Sequence, residues 1–148
     1  MNWAYIAGFF DGEGSITRHT KGYRITIAQT NFEVLEKIRK FASAGSIIEP
    51  KKRKKHWKDS WVYYIASQRQ ICDFLNKILI YLIVKKEKVE LALPVIEFLV
   101  ARQLLREKTR TDRIKHIKSL RIKGLTYRAI GKELRIDWGY ARRLSLKD

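Results

Sequence analysis

One cysteine, Cys72, stands in 148 residues, so no disulfide can form within the chain. Long apolar runs are absent as well. The longest, Ile78–Val84, is far too short to cross a bilayer. The amino terminus lacks a basic region ahead of its apolar run, and that run ends in acids, so nothing there resembles a secretory signal. A cytoplasmic (nucleoid-associated) or organellar protein with no membrane partner is expected, not a secreted one. Acids are also scarce: 15 Asp+Glu face 32 Lys+Arg, a formal net charge of +17. Residues 1–108 and 109–148 are each basic in their own right. Such an imbalance calls for a polyanion. His19 and His56 are not spaced as a metal pair. No low-complexity stretch occurs beyond one basic loop. What remains is 45% hydrophobic, with 4 Trp, 7 Tyr and 6 Phe, which suits a folded, specific nucleic-acid binder better than a loose basic coat.

The stretch that organises the rest is Trp3–Ser15, WAYIAGFFDGEGS. Asn2 can cap a helix over about Trp3–Phe10. Ala4 and Gly8 are four apart and make a flat face that a second helix can approach closely. Asp11 and Glu13 follow, interleaved with Gly12 and Gly14, which end the helix and start a strand. The carboxyl end of a helix carries partial negative charge, so two acids there need a cation. A divalent metal held at a close helix–helix contact would supply it.

After Gly14 the apolar period becomes two. Strands are expected at Ser15–Thr20 and Tyr23–Gln29, around a turn at Lys21-Gly22. A helix capped by Thr30 or Asn31 runs to about Ala42, with Phe32, Leu35, Ile38 and Phe41 at helical spacing. A second strand pair is expected at Ser46–Glu49 and Trp61–Ala66. The loop between them, Lys51-Lys52-Arg53-Lys54-Lys55-His56-Trp57-Lys58, is crowded with cations around an indole. Helices follow at Gln68–Tyr81, with Cys72 in its core, and at Lys85–Leu105, which Pro94 should kink or break near Leu93. The pattern is α+β: a four-stranded antiparallel sheet with helices on one face.

Polar residues 107–112 suggest a linker. Three short helices are expected beyond it, at Arg113–Arg121, Thr126–Leu134 and Trp138–Leu146. Ile114, Ile117, Leu120, Leu125, Ile130, Leu134, Ile136, Ala141 and Leu144 would form a small core. Residues 125–144 look like a helix-turn-helix, with Ala129 at the position where such motifs want a small residue.

The nine residues Ile6-Ala7-Gly8-Phe9-Phe10-Asp11-Gly12-Glu13-Gly14 resemble the defining motif of the LAGLIDADG homing endonucleases, with Glu13 as the last acid. The resemblance covers roughly residues 1–105. It implies the αββαββαα fold with a DNA-binding sheet over residues 1–106, so that residues 107–148 form an added helix-turn-helix-like module. One intact copy of the motif is present, and no second copy occurs. A homodimer is therefore expected, joined through Ala4, Ala7, Gly8 and Asp11, because a two-fold interface sets the same patch against itself. Two Glu13 carboxylates would meet beneath two basic sheets. Mg²⁺ or Mn²⁺, with Ca²⁺ as a non-catalytic substitute, would be held by Glu13 and the Gly12 carbonyl. The resemblance implies phosphodiester hydrolysis with staggered cuts across the minor groove. It further implies that Gln29 orders water near the cleavage centre. A lysine reaching the scissile phosphate region is implied too; whether this is Lys85 or Lys86 depends on helix register.

The polar strand face offers the DNA-reading candidates Ser15, Thr17, His19, Lys21, Arg24, Thr26, Ser46, Trp61 and Tyr63. A strand of about seven residues spans roughly 23 Å, or about seven base pairs, so a dimer would read a long pseudo-palindromic site in double-stranded DNA. Lys51, Lys52, Arg53, Lys54, Lys55 and Trp57 read as a phosphate clamp. In the tail, Tyr140, Arg142 and Arg143 would enter a groove, with Arg128 and Lys132 on the backbone. Starting at Met1 without an intein splice signature, the chain is expected to be intron-encoded. Two other readings share the scaffold: a non-cleaving DNA-binding regulator with a helix-turn-helix, and an intron RNA maturase. The retained acid at Glu13 argues for the nuclease over the regulator.

Overall fold

The computed structural model describes residues 1–51 and 58–146. The chain passes through helix α1 (Trp3–Glu13), strands β1 (Gly14–His19) and β2 (Gly22–Gln29), helix α2 (Phe32–Ala42), and strands β3 (Ser46–Ile48) and β4 (Trp61–Ile65). Helix α3 (Gln68–Ile78) follows and ends in a 3-10 turn (Leu79–Tyr81). Helices α4 (Lys86–Ile122), α5 (Tyr127–Leu134) and α6 (Trp138–Ser145) complete the described chain. Two compact units result, one of Met1–Ala101 and one from Arg102 onward.

In the first unit the strands pair antiparallel in the order β1-β2-β4-β3. The two-residue period decides which side chains point inward. Ile16, Ile25, Ile27, Tyr63 and Ile65 are buried on one face of the sheet. They share one core with Ile6, Ala7 and Phe10 of α1, Leu35 and Ile38 of α2, four residues of α3, and the first turns of α4. Each large apolar side chain buried there stabilises the fold by roughly 1.5–3 kcal/mol. Phe74 joins the layers, with ring contacts to Trp3, Phe10 and Tyr63. Gln68, at the start of α3, behaves like an extra strand residue. Its side chain accepts from the Tyr23 N–H at 2.9 Å and donates to the Tyr23 carbonyl at 2.8 Å. Cys72 is half-buried against the core, and burial pushes its thiol pKa up.

Helix α1 begins as expected, with the Asn2 side chain accepting from the Tyr5 N–H at 2.8 Å. It runs past Phe10 to Glu13, so both acids and Gly12 are helical. Gly14 then turns directly into β1. A Cβ at Gly14 would stand 2.1 Å from the Phe10 ring and 2.6 Å from the Phe10 carbonyl. Only glycine lets the strand leave the helix over that ring.

Helix α4 departs most from expectation. Pro94 lies inside it and does not end it. Proline removes the hydrogen bond to the carbonyl four residues back, at Glu90. Pro94 and Glu90 both face solvent, so water can satisfy that carbonyl. The linker expected over 107–112 is also helical. Thr109 and Thr111 return their hydroxyls to the carbonyls of Leu105 and Glu107, at 2.9 and 3.0 Å. Residues 101–113 are all exposed. Residues 107–112 are polar on every side of the helix, which gives the stretch the composition of a loop. The boundary expected after residue 106 therefore falls within a helix.

The second unit is the end of α4 with α5 and α6. Ile117, Leu120, Ile130, Ala141 and Leu144 form its core, with Ile114, Leu125, Leu134 and Ile136 packed against it. All nine expected core residues are thus in one cluster. The Thr126 and Asp137 side chains cap α5 and α6 by accepting from Ala129 and Tyr140. The small residue that the turn needs is Gly131, not Ala129. Ala129 is exposed, whereas a Cβ at Gly131 would lie 2.8 Å from the Ile136 carbonyl and 3.2 Å from the Trp138 backbone.

Candidate functional site

The carboxyl end of α1 gathers the acids, a lysine and the start of the sheet. Asp11 turns toward the segment that enters α4. One of its oxygens accepts from the N–H groups of Ile83 and Val84, at 2.7 and 3.2 Å. The other accepts from the Lys85 N–H at 2.9 Å. These donors stand just ahead of α4, and the Lys85 carbonyl accepts the helix's first bond, from Val89. Asp11 thus satisfies the N–H of the residue at the N-cap of α4, 74 residues away from it in sequence, and the two N–H groups ahead of it. Burial works to raise its pKa. The three N–H donors and the Lys85 charge outweigh that and hold it below the ordinary carboxylate value.

Lys85 answers in kind. Its ammonium donates to the Asp11 carbonyl and lies 6.0 Å from the centre of the Phe10 ring. A cation is therefore present where the α1 dipole is negative. Lys86, by contrast, is exposed as the first residue of α4.

Glu13 has a different environment. It is exposed, the last residue of α1, with the extended backbone of Gly14 behind it. Gly12 is exposed beside it. Gln29 closes β2 two residues beyond Ile27, the partner of Gly14, and so lies at the α1 end of the β1–β2 hairpin. Its side-chain oxygen accepts from the Thr30 N–H at 2.8 Å and from the Thr30 hydroxyl at 3.2 Å.

The outer side of α1 is open. Ala4 and Gly8 are exposed, and a Cβ added at Gly8 or Gly12 would meet nothing within 4 Å. Ala7 does not belong to this face. It is fully buried in the protomer's own core, three residues on from Ala4 and rotated inward. Of the four residues expected at an interface, Ala4 and Gly8 lie on the open face, and the half-buried Asp11 is engaged within the protomer.

On the sheet, the face opposite the core carries one row across all four strands: Ser15, Thr26, Tyr64 and Ser46. Thr17 pairs with Arg24 in the next row, and both are exposed. His19 and Lys21 are exposed at the hairpin tip, where the His19 ring lies 3.2 Å from the Thr17 hydroxyl. Tyr63 and Trp61 do not share this face. Tyr63 is wholly buried, its hydroxyl donating to the Ala44 carbonyl at 2.9 Å, and burial pushes its phenol pKa up. Trp61 has the same parity and packs on Phe32 and the core. The outward residues of β4 are Val62 and Tyr64. A one-residue shift of parity exchanges the two faces, and the run Trp61-Val62-Tyr63-Tyr64-Ile65 offers no charged residue to fix it.

Lys51 is exposed. Lys52, Arg53, Lys54, Lys55 and Trp57 lie outside the described residues. In the second unit Arg142 and Arg143 are exposed on α6, and Arg128 and Lys132 are exposed on α5. Tyr140 is half-buried against the small core. Trp138, half-exposed at the start of α6, lines a cleft of about 390 Å³ with Arg128, Lys132 and Arg135. An apolar residue beside a helix cap carries no mark of exposure in the sequence, so nothing there singles out Trp138.

The oxygen donors at the α1 end suit a hard divalent cation. Among the described residues, no group of three His, Cys, Asp or Glu side chains is gathered within the protomer. No described helix is long and apolar enough to cross a membrane.

Residues 2–79 match the family model described as a LAGLIDADG-like domain. No curated protein sequence matches the chain. Among solved structures, the homing endonuclease I-CvuI in complex with the I-CreI target aligns with a TM-score of 0.50 at 24% identity, covering 66% of each chain. The chain thus spans just under two thirds of that protein. The same endonuclease with its own target, in the presence of 2 mM Ca, gives 0.53 and 23% over 68% of this chain and 69% of that one. An archaeal intron-encoded homing endonuclease, I-Vdi141I, complexed with DNA, gives 0.52 and 22% over 96% and 92%. At these identities the likeness is one of fold.

Proposed function

Because the chain belongs to the LAGLIDADG-like domain family, we propose that it is a site-specific double-strand DNA endonuclease, intron-encoded, that dimerises through α1 and hydrolyses phosphodiesters with a divalent cation. The observation that carries this reading is the contrast between the two acids. Asp11 is consumed by three backbone donors, while Glu13 is exposed at the helix end.

The donor set fits a hard cation such as Mg²⁺, which keeps several waters and takes one or two carboxylates together with substrate phosphates. Glu13 would hold it, with the Gly12 carbonyl; Mn²⁺ has the same ligand preference, and Ca²⁺ would occupy the site without supporting cleavage. When bound, such a cation supplies an acidified water and charge neutralisation at the phosphate. The rest falls to the chain. The open face of Ala4, Gly8 and Gly12 would meet its own copy, giving two Glu13 carboxylates at one two-fold axis. Gln29, its oxygen engaged by Thr30, would turn its amide N–H₂ to orient a water. Lys85 adds a fixed positive charge at the carboxyl end of α1, which favours negative charge developing on the phosphate. The row Ser15–Thr26–Tyr64–Ser46, with Thr17, Arg24, His19 and Lys21, would face the major groove. Lys51 and the basic residues that follow would grip phosphate. Residues 107–148 would add contacts through Arg128, Tyr140, Arg142 and Arg143.

The test is incubation with Mg²⁺ and a randomised duplex library. Cutting at a discrete site is the expected result. Binding without cutting in either Mg²⁺ or Mn²⁺ would overturn the nuclease reading in favour of a regulator, and preference for intron RNA would point to a maturase.

A further inference from the structure

The exposed stretch 101–113 of α4 carries Arg102, Arg106, Arg110 and Arg113. Spacings of four, four and three put all four on one face of a helix. Each is exposed. The ion pairs among the described residues are Lys37–Glu33 and Lys40–Glu36, both on α2, so the four guanidinium groups face solvent without acids. Like charges one turn apart repel and weaken a bare helix. Such a stripe destabilises the free protein and becomes favourable against a polyanion.

The second unit adds a shaped surface to the charge. Arg106, Arg110 and Arg113 line an open cleft of about 350 Å³ with Leu105 and Tyr140. Leu105 is 65% exposed. Guanidinium groups match phosphate bidentately, and an apolar and aromatic wall suits the sugar between phosphates. From Arg102 to Arg113 the helix rises about 16 Å, the axial length of about five phosphates on one strand. A regular line of cations fits a regular line of phosphates better than it fits the irregular charges of an acidic protein. Arg142 and Arg143 do not line this cleft.

We propose that the arginine face of α4, with Tyr140, is a phosphate-backbone contact for duplex DNA, additional to the sheet and to α6. The inference rests on reading the chain as a DNA-binding enzyme, but its test needs no cleavage. The full chain is titrated with a long random-sequence DNA duplex in metal-free buffer over a range of salt. The Arg106→Gln/Arg110→Gln/Arg113→Gln variant should lower the slope of log affinity against log salt by about 2–3, at about 0.9 for each phosphate no longer neutralised. The Arg106→Lys/Arg110→Lys/Arg113→Lys variant should keep the slope, which guards against a mere folding defect. Lys108→Gln/Lys115→Gln/Lys123→Gln, the same charge removed off this face, should leave the slope near that of the parent. An unchanged slope in the first variant, or an equal fall in the off-face variant, overturns the proposal. So does a fall seen with an A-form RNA duplex but not with DNA. A chain that never cuts can pass this test, and a cutting chain can fail it, so the two readings fail separately.

Discussion

Asp11 and Lys85, 74 residues apart, are joined by two hydrogen bonds of the same sense: the Lys85 N–H donates to the Asp11 carboxylate, and the Lys85 ammonium donates to the Asp11 carbonyl. The motif helix is thereby fastened to the start of α4 by side chain and main chain together. Asp11→Asn replaces one of two accepting oxygens by an N–H₂ donor and should cost about 0.5–1.5 kcal/mol of stability, the scale of a lost hydrogen bond, measured by urea denaturation. The pH dependence has a fixed sign. Asp11's folded pKa is lowered, so its contribution is complete above the ordinary carboxylate range and is lost as pH falls through the lowered value. The gap between parent and variant should close in acid; a gap independent of pH would contradict these bonds.

Glu13→Gln keeps size and removes charge at an exposed position. Cleavage should vanish while DNA affinity and melting temperature stay near the parent's. Cutting at the parent's rate would remove Glu13 from the mechanism.

Tyr63 and Tyr64 are adjacent and should behave as opposites. Tyr63→Phe removes a buried hydrogen bond to Ala44 and should cost about 1 kcal/mol of stability with DNA binding intact. Tyr64→Ala should leave the fold stable and weaken binding, as read by anisotropy. The reverse pattern would mean the faces are exchanged.

The Tyr63–Tyr64 pair also marks the limit of what sequence conveys. Ile16, Ile25 and Ile27 alternate with polar residues, so the faces of β1 and β2 are legible from the chain alone. In β4 every residue is apolar or aromatic, and its parity is set by the pairing of Gln29 with Trp61, a contact no local pattern encodes. Ala4 and Ala7 look alike in sequence; the sheet beneath α1 separates them. Glu13 stands out in the sequence because chemistry and spacing coincide there. The bond between Asp11 and Lys85 does not, because it joins distant segments. The charged stretch 107–112 misleads for another reason: solvent on every side gives a helix the composition of a loop.

Gly8→Leu tests the dimer. A Cβ there meets nothing within the protomer, and the change improves helix propensity by roughly 0.5–1 kcal/mol. The folded protomer should be at least as stable as the parent, while sedimentation should shift from dimer to monomer. A dimer that survives would move the interface elsewhere.

Gly131→Ala should destabilise the second unit by about 1–3 kcal/mol, as overpacking does, because its Cβ would press on the Ile136 carbonyl. Ala129→Ser, at an exposed position, should be nearly neutral. Equal effects from both would show that the turn is not packed as described. Thermal melts of the full chain, followed by near-ultraviolet dichroism of the tryptophans, would read both.

The division between Asp11 and Glu13 bears on how such a chain could change over time. A substitution at position 13 removes an exposed carboxylate and leaves the fold untouched. Substitutions at position 11 or 14 strike the bonds to the start of α4 or the exit over Phe10, and so strike folding itself. If Glu13 is the reactive acid proposed above, a lineage that gave up cutting could lose it in one step while selection for a stable scaffold preserved the letters around it. The outline of the motif therefore reports ancestry and architecture, and on the nuclease reading proposed above the side chain at position 13 would report whether the blade is still in place.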